Sequence, residues 1–167
     1  MFSRVERTAT IVAQVLAVLG LVLLVSFAAG TLADGVLRRF AGRPIDAVRD
    51  LGGLIVAIAV ACCFPLALLQ RANITIKFVS EFVSVRAGRV FDALASVIVF
   101  VILVLVARQF FIYAGQLVVS GDMTTMLSVR VAPFWFVVSG VLWIAAATQA
   151  TVVVQAIAAT RAPAAHS

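Results

Sequence analysis

Uncharged residues fill four long stretches of the chain, 8–33, 51–70, 93–107 and 131–157, and nearly every charge falls between them. Within these stretches apolar side chains neither alternate nor keep to one helical face. A helix that is apolar all round belongs in lipid or a large core. A bilayer's hydrocarbon core takes ~20 apolar helical residues to cross. The pattern therefore predicts four membrane spans at about 8–33, 51–70, 93–113 and 131–157. They form one membrane domain over 1–160, followed by a disordered tail at 161–167.

The segments between the spans predict how they connect. Asp34 and Arg38 are four apart, which suits a helix continuing out of the membrane. Gly42-Arg43-Pro44 then breaks it, and Pro44-Ile45-Asp46 opens the next helix, with proline and an acid in the first turn. Pro65 lies inside the second span and predicts a kink, with the carbonyl near Ala61 left needing a partner. After Gln70 comes a polar hinge, where the alternating, β-branched run Asn73-Ile74-Thr75-Ile76 need not be helical at first. From Phe78 a helical face returns (Phe78, Phe82, Val85), with Lys77 and Glu81 spaced to pair. This predicts an interfacial helix between helices 2 and 3, lying on the membrane surface or against a partner. Gly115 to Val131 reads as the last connector, with Gly121-Asp122 as its turn. Pro133 then suits the first turn of helix 4. The fold class expected is an all-α integral membrane protein, with four transmembrane helices in two hairpins and an interfacial helix between them.

The first span also has the outline of a cleaved leader, with Arg4 and Arg7 before it and Ser26-Phe27-Ala28-Ala29 inside it. Its apolar stretch exceeds the ~7–15 residues usual for a leader, so it is read as helix 1. Composition agrees with lipid as the solvent: the 167 residues are 64% hydrophobic and 12% charged, and mean hydropathy is +1.19. The net charge of +6 does not point to nucleic acid, because the cations cluster between apolar runs rather than along a stripe. It fits headgroup contact instead. With the N-terminus inside, seven cations fall inside (Arg4, Arg7, Arg71, Lys77, Arg86, Arg89, Arg161) and six outside (Arg38, Arg39, Arg43, Arg49, Arg108, Arg130). That balance only slightly favours cytoplasmic termini.

Several chemistries find no residues. Cys62 and Cys63 are adjacent in an apolar run and suit helix packing rather than a metal or redox motif. His166, the sole histidine, sits in the tail, so membrane haem ligation and a Ser–His–Asp set both lack their histidines. No phosphate-binding GxxxxGK[ST] loop occurs. No span carries a central acid, which disfavours a self-contained proton-coupled exporter. No catalytic, cofactor or metal site is expected, and the chain reads as one part of a complex. Thr148, Thr151 and Gln155 share a face of helix 4 and are read as helix-to-helix hydrogen-bonding groups rather than a substrate track. Arg108 interrupts the third apolar run. It either snorkels to headgroups, with Tyr113 near the interface, or faces a protein partner inside the membrane.

Both connectors resemble a known family. Asp34-Gly35-Val36-Leu37-Arg38-Arg39-Phe40-Ala41-Gly42-Arg43-Pro44-Ile45 is similar to the segment after helix 1 in the small, DctQ-like membrane subunit of tripartite ATP-independent periplasmic (TRAP) transporters. Arg71-Ala72-Asn73-Ile74-Thr75-Ile76 resembles that family's stretch after helix 2. The likeness in layout covers about Arg4 to Ile157. Asn73 stands where many members have His, Lys77 where many have Asp, and the usual Trp before helix 2 is missing.

The resemblance implies a non-catalytic subunit of a bacterial inner-membrane secondary transporter with both termini cytoplasmic. Its partners would be a large DctM-like membrane subunit, a periplasmic substrate-binding protein and membrane lipids. Uptake of an organic acid would be driven by an ion gradient. On this reading Arg38, Arg39 and Arg43 face outward, toward headgroups or the binding protein. Arg71, Asn73 and Lys77 brace the inner hinge, or anchor topology there. The alternative is an assembly or regulatory four-helix membrane protein unrelated to transport.

Overall fold

The computed structural model describes residues 2–42, 44–79 and 85–161, and within these the side chains of 2–6, 71–79, 85–87, 89, 159 and 161 are not described. It has four helices: α1 (Phe2–Ala41), α2 (Asp46–Val79), α3 (Val85–Ser120) and α4 (Ala132–Arg161). Each contains a stretch long and apolar enough to cross a membrane. Among the described residues there is no strand, only an isolated antiparallel bridge between Met123 and Arg130.

The helices outrun the apolar stretches that announce them. α1 continues through Arg38 and Arg39 and stops at Gly42, whose φ of 66° is the left-handed geometry that ends helices. α3 passes Gly115 and ends at Ser120, so the last connector is only 121–131, shorter than the sequence suggests. Gly115 does not break the helix because Ala114 and Leu117 on either side are buried and hold that turn in place. Gly121, at φ 69°, ends α3 with its amide donating to the Leu117 carbonyl at 3.2 Å.

The hinge expected at Asn73-Ile74-Thr75-Ile76 is helical: α2 runs unbroken to Val79. No Gly or Pro follows Pro65 in this helix. β-Branched residues disfavour a helix by only tenths of a kcal/mol each, so nothing there stops propagation. The interfacial helix expected from Phe78 falls on the end of α2, on 80–84 and on the start of α3. Residues 80–84, and with them the expected Lys77–Glu81 pair, lie outside the described residues.

The packing order is not the order of the chain. α3 packs extensively on α4, α1 on α2, and α2 on α4, while α2–α3 and α1–α4 contacts are slight and α1 does not touch α3. The helices thus lie in an open row, α1–α2–α4–α3, rather than a closed four-membered bundle. Half of α4's most apolar window is buried (50%), against 11% for the edge helices α1 and α3.

Small residues allow the close approaches in this row. The central cluster joins Ala61 and Cys62 of α2, Ala107 of α3, and Val138, Val141 and Leu142 of α4. Membrane helices gain little from hydrophobicity alone and associate through such close packing. Gly20 of α1 sits directly on α2, where a Cβ would lie 2.7 Å from the Ala59 carbonyl oxygen and 2.9 Å from Cys62 Cβ. Pro65 is fully buried inside α2. Cys62 belongs to the core, as its reading as a packing residue expects, whereas Cys63 is exposed and does not pack there.

Candidate partner-binding surface

Both short connectors, 42–45 and 121–131, lie at one end of the row. Two carboxylates organise that end. Asp34 is buried although it lies in α1, and its Oδ1 accepts the Ile45 amide across the first connector. It makes no ion pair with Arg38 among the described residues. The four-residue spacing marked a continuing helix, and the carboxylate reaches forward to the connector instead. Asp50, in the first turns of α2, accepts the Met126 amide at 3.2 Å and the Leu127 amide at 2.9 Å through Oδ2. The last connector is therefore fastened to α2.

That connector has its own frame. Thr124 N donates to Val129 O at 2.9 Å, Val129 N to Thr124 Oγ1 at 3.1 Å, and Val131 N to Asp122 O at 3.2 Å. Ser128 takes a left-handed φ of 53° at its tip. Around this fastened end the cations Arg38, Arg39, Arg49 and Arg130 are exposed. Arg43 lies outside the described residues. Arg39 and Phe40 close one end of a shallow apolar groove on α1, which continues along Phe27, Thr31 and Gly35.

At the opposite end, Arg71, Asn73 and Lys77 belong to the last turns of α2, so the structure puts them on one helix rather than on a bend. Arg108 stands apart from both groups. It is exposed, well inside α3, and has no hydrogen bond or ion pair among the described residues. Of the residues singled out in the sequence, Arg38 and Arg39 lie near one end of the layer, Arg71, Asn73 and Lys77 fall in the last turns of α2, and Arg108 lies on α3.

The α3–α4 seam holds most of the described polar and aromatic contacts between helices. Ser139 Oγ donates to the Ala107 carbonyl at 3.0 Å, and Gln149 Nε2 to the Ser96 carbonyl at 3.1 Å. Phe110 stacks on Trp135 with centroids 5.3 Å apart, Tyr113 meets Trp135 edge-on at 5.3 Å, and Phe111 meets Phe136 at 5.5 Å. Trp135 and Tyr113 thus pack on each other. Trp143 is exposed.

Thr148 and Thr151 donate to Ala145 O and Thr148 O, within their own helix. The helix-to-helix role expected of these two threonines falls instead to Ser139 and Gln149. A polar residue flanked by alanines, as in Ala147-Thr148-Gln149-Ala150, was the available signal, since small neighbours let a second helix come close. Among the described residues no three His, Cys, Asp or Glu side chains gather as a metal site.

The described helices form a mostly apolar layer with two open faces, pinned at one end and basic at its margins. It offers area for another membrane protein. Residues 27–159 match the family described as tripartite ATP-independent periplasmic transporters, DctQ component. No curated protein and no solved structure matches the chain.

Proposed function

The chain belongs to the DctQ component family of TRAP transporters, and from that membership we propose that it is the non-catalytic scaffold for the large transport subunit. The family is a transporter component rather than an enzyme family, and the chain is a multi-pass bacterial membrane protein. In our reading the large subunit carries the substrate and the coupling ion. This chain widens its static part and helps receive the periplasmic binding protein, which delivers an organic acid. Both termini are cytoplasmic, and the fastened end with Arg38, Arg39 and Arg43 is periplasmic.

The open row carries this reading. A self-sufficient bundle closes its apolar faces on each other, whereas this layer leaves α1 and α3 with 11% of their apolar windows buried. Exposed apolar area on that scale marks an interaction surface or a lipid boundary. A flat layer presents enough of it to do both.

Co-purification from native membranes tests the scaffold. We expect a stoichiometric large membrane subunit to accompany the chain, and organic-acid uptake to fail when the chain is deleted. A chain that purifies alone, with uptake intact after its deletion, would favour an assembly or regulatory protein unrelated to transport.

Arg71 and Lys77 brace the cytoplasmic end by holding the last turns of α2 at the headgroups, where basic residues are attracted at about 1 kcal/mol each. The double variant Arg71→Ala/Lys77→Ala is expected to lower the yield of assembled complex several-fold. Normal assembly and uptake in that variant reject the brace.

A further inference from the structure

We infer that Arg108 is paired, inside the membrane, with a carboxylate on a helix of the large subunit, so that the outer edge of α3 is a docking seam fixed by one buried ion pair. The inference rests on the scaffold reading above and adds the contact that sets its register.

Depth is the first observation. α3 runs to Ser120, so Arg108 is not near a helix end, as the apolar run alone suggested. At ~1.5 Å of rise per residue it lies roughly 18 Å from Ser120 and roughly 24 Å from Asp92, the acid nearest the other end of the span. Across the seam, the Ala107 carbonyl is bonded to Ser139, itself roughly 10 Å into α4 from Ala132. Both helices therefore put Arg108 well inside the span, roughly 10 Å or more from its nearer end. The hydrocarbon core is ~30 Å thick, and that depth lies within it. Three methylenes and a guanidinium do not cover that distance without deforming the bilayer.

Surroundings are the second observation. Ala107, the next residue, is fully buried in the seam, while Val101, Leu105, Phe111 and Ile112, which flank Arg108 on the helix surface, are all exposed. The guanidinium is a lone cation on an apolar face. Two acids near the span ends, Asp34 and Asp50, are engaged by backbone amides: Asp34 by Ile45 N and Asp50 by Met126 N and Leu127 N. Among the described residues no acid pairs with Arg108, so the compensating charge is assigned to a partner.

A carboxylate on a partner helix fits best. Intramembrane charges characteristically pair with one another across helices, and the planar fork of Arg binds a carboxylate through two parallel hydrogen bonds. Because α3 is an edge of the open row, nothing among the described residues covers that face.

The test co-expresses the chain with its large subunit and measures retention after detergent extraction, with thermal stability of the small subunit alone as a control. If wild type retains no large subunit, the scaffold reading itself fails. Given retention by wild type, Arg108→Leu is expected to lose more than about tenfold of it, because truncating one member of a buried charge pair is costly. Arg108→Lys should keep part. The isolated Arg108→Leu subunit should be as stable as wild type or more so, having lost an unpaired intramembrane charge.

Undiminished retention by Arg108→Leu overturns the ion pair. So does a loss of retention matched by equal destabilisation of the isolated subunit, because Arg108 would then be structural. Enrichment of anionic phospholipid on wild type over Arg108→Leu, with retention unchanged, would assign the charge to a lipid phosphate and also overturn it.

Discussion

Gly20→Leu is expected to prevent α1 from seating on α2 and to destabilise the folded subunit more than any other single substitution among its glycines. The obstruction is rigid on both sides: a Cβ meets a backbone oxygen of Ala59 at 2.7 Å and the Cβ of Cys62 at 2.9 Å. Neither atom can swing aside as a side-chain terminus would. Overpacking of this kind typically costs ~1–3 kcal/mol, and leucine adds branches where even one carbon has no room.

Alanine at the same position sets two effects against each other. Loss of a mid-helix glycine gains up to about 1 kcal/mol in helix propensity, while the contact with Ala59 forces the helices apart. The steric term wins because it falls on backbone, so Gly20→Ala should be mildly destabilising. Gly53 on α2 faces open space, and Gly53→Ala should be neutral or stabilising. Unfolding of the purified subunit in graded SDS, followed by circular dichroism, ranks the three. If Gly20→Leu unfolds together with Gly53→Ala, the close approach of α1 and α2 is not what holds them.

The second large effect is expected at Asp34. Its carboxylate is buried and accepts the Ile45 amide, so Asp34→Ala leaves a partly buried donor without its partner. Hydrogen bonds to charged groups contribute about 1.5–3 kcal/mol, and the loss should fall at that range. Asp34→Asn keeps an acceptor of similar shape and should lose less. Hydrogen exchange at the Ile45 amide is the direct reading: protection should drop sharply in Asp34→Ala and only modestly in Asp34→Asn. Unchanged protection in both would show that the connector keeps its shape without Asp34.

Much of this architecture is legible from residues. Four uncharged runs specify four helices, and Gly42 specifies the end of the first, because only glycine takes the left-handed geometry at low cost; Gly121 was legible as a turn but not as the end of α3. The connector motifs specify the family. The order of helices across the layer is not legible. A helix apolar on every side does not say which side meets protein and which meets lipid, since both accept the same residues. Only afterwards do Ala59, Ala61, Cys62, Ala107, Ala145 and Ala146 stand out as the buried small positions that decide it.

The site was legible as types and not as partners. Asp50 looks like any acid opening a helix, yet it fastens a connector 76 residues away. Arg108 reads as a boundary residue only while the apolar run is taken as the length of the helix. The β-branched residues after Asn73 misled in the opposite direction, because weak local preference was set against a helix that nothing interrupts.

The row has a consequence for how the chain is made. α1 finds its neighbour as soon as α2 leaves the ribosome, but α3 touches α2 only slightly and takes nearly all its support from α4. During synthesis the third helix therefore waits in the bilayer with its unpaired arginine and without a partner on either flank. The last helix to emerge joins both halves at once, so completion of α4 is the event that turns two separate pieces into one subunit.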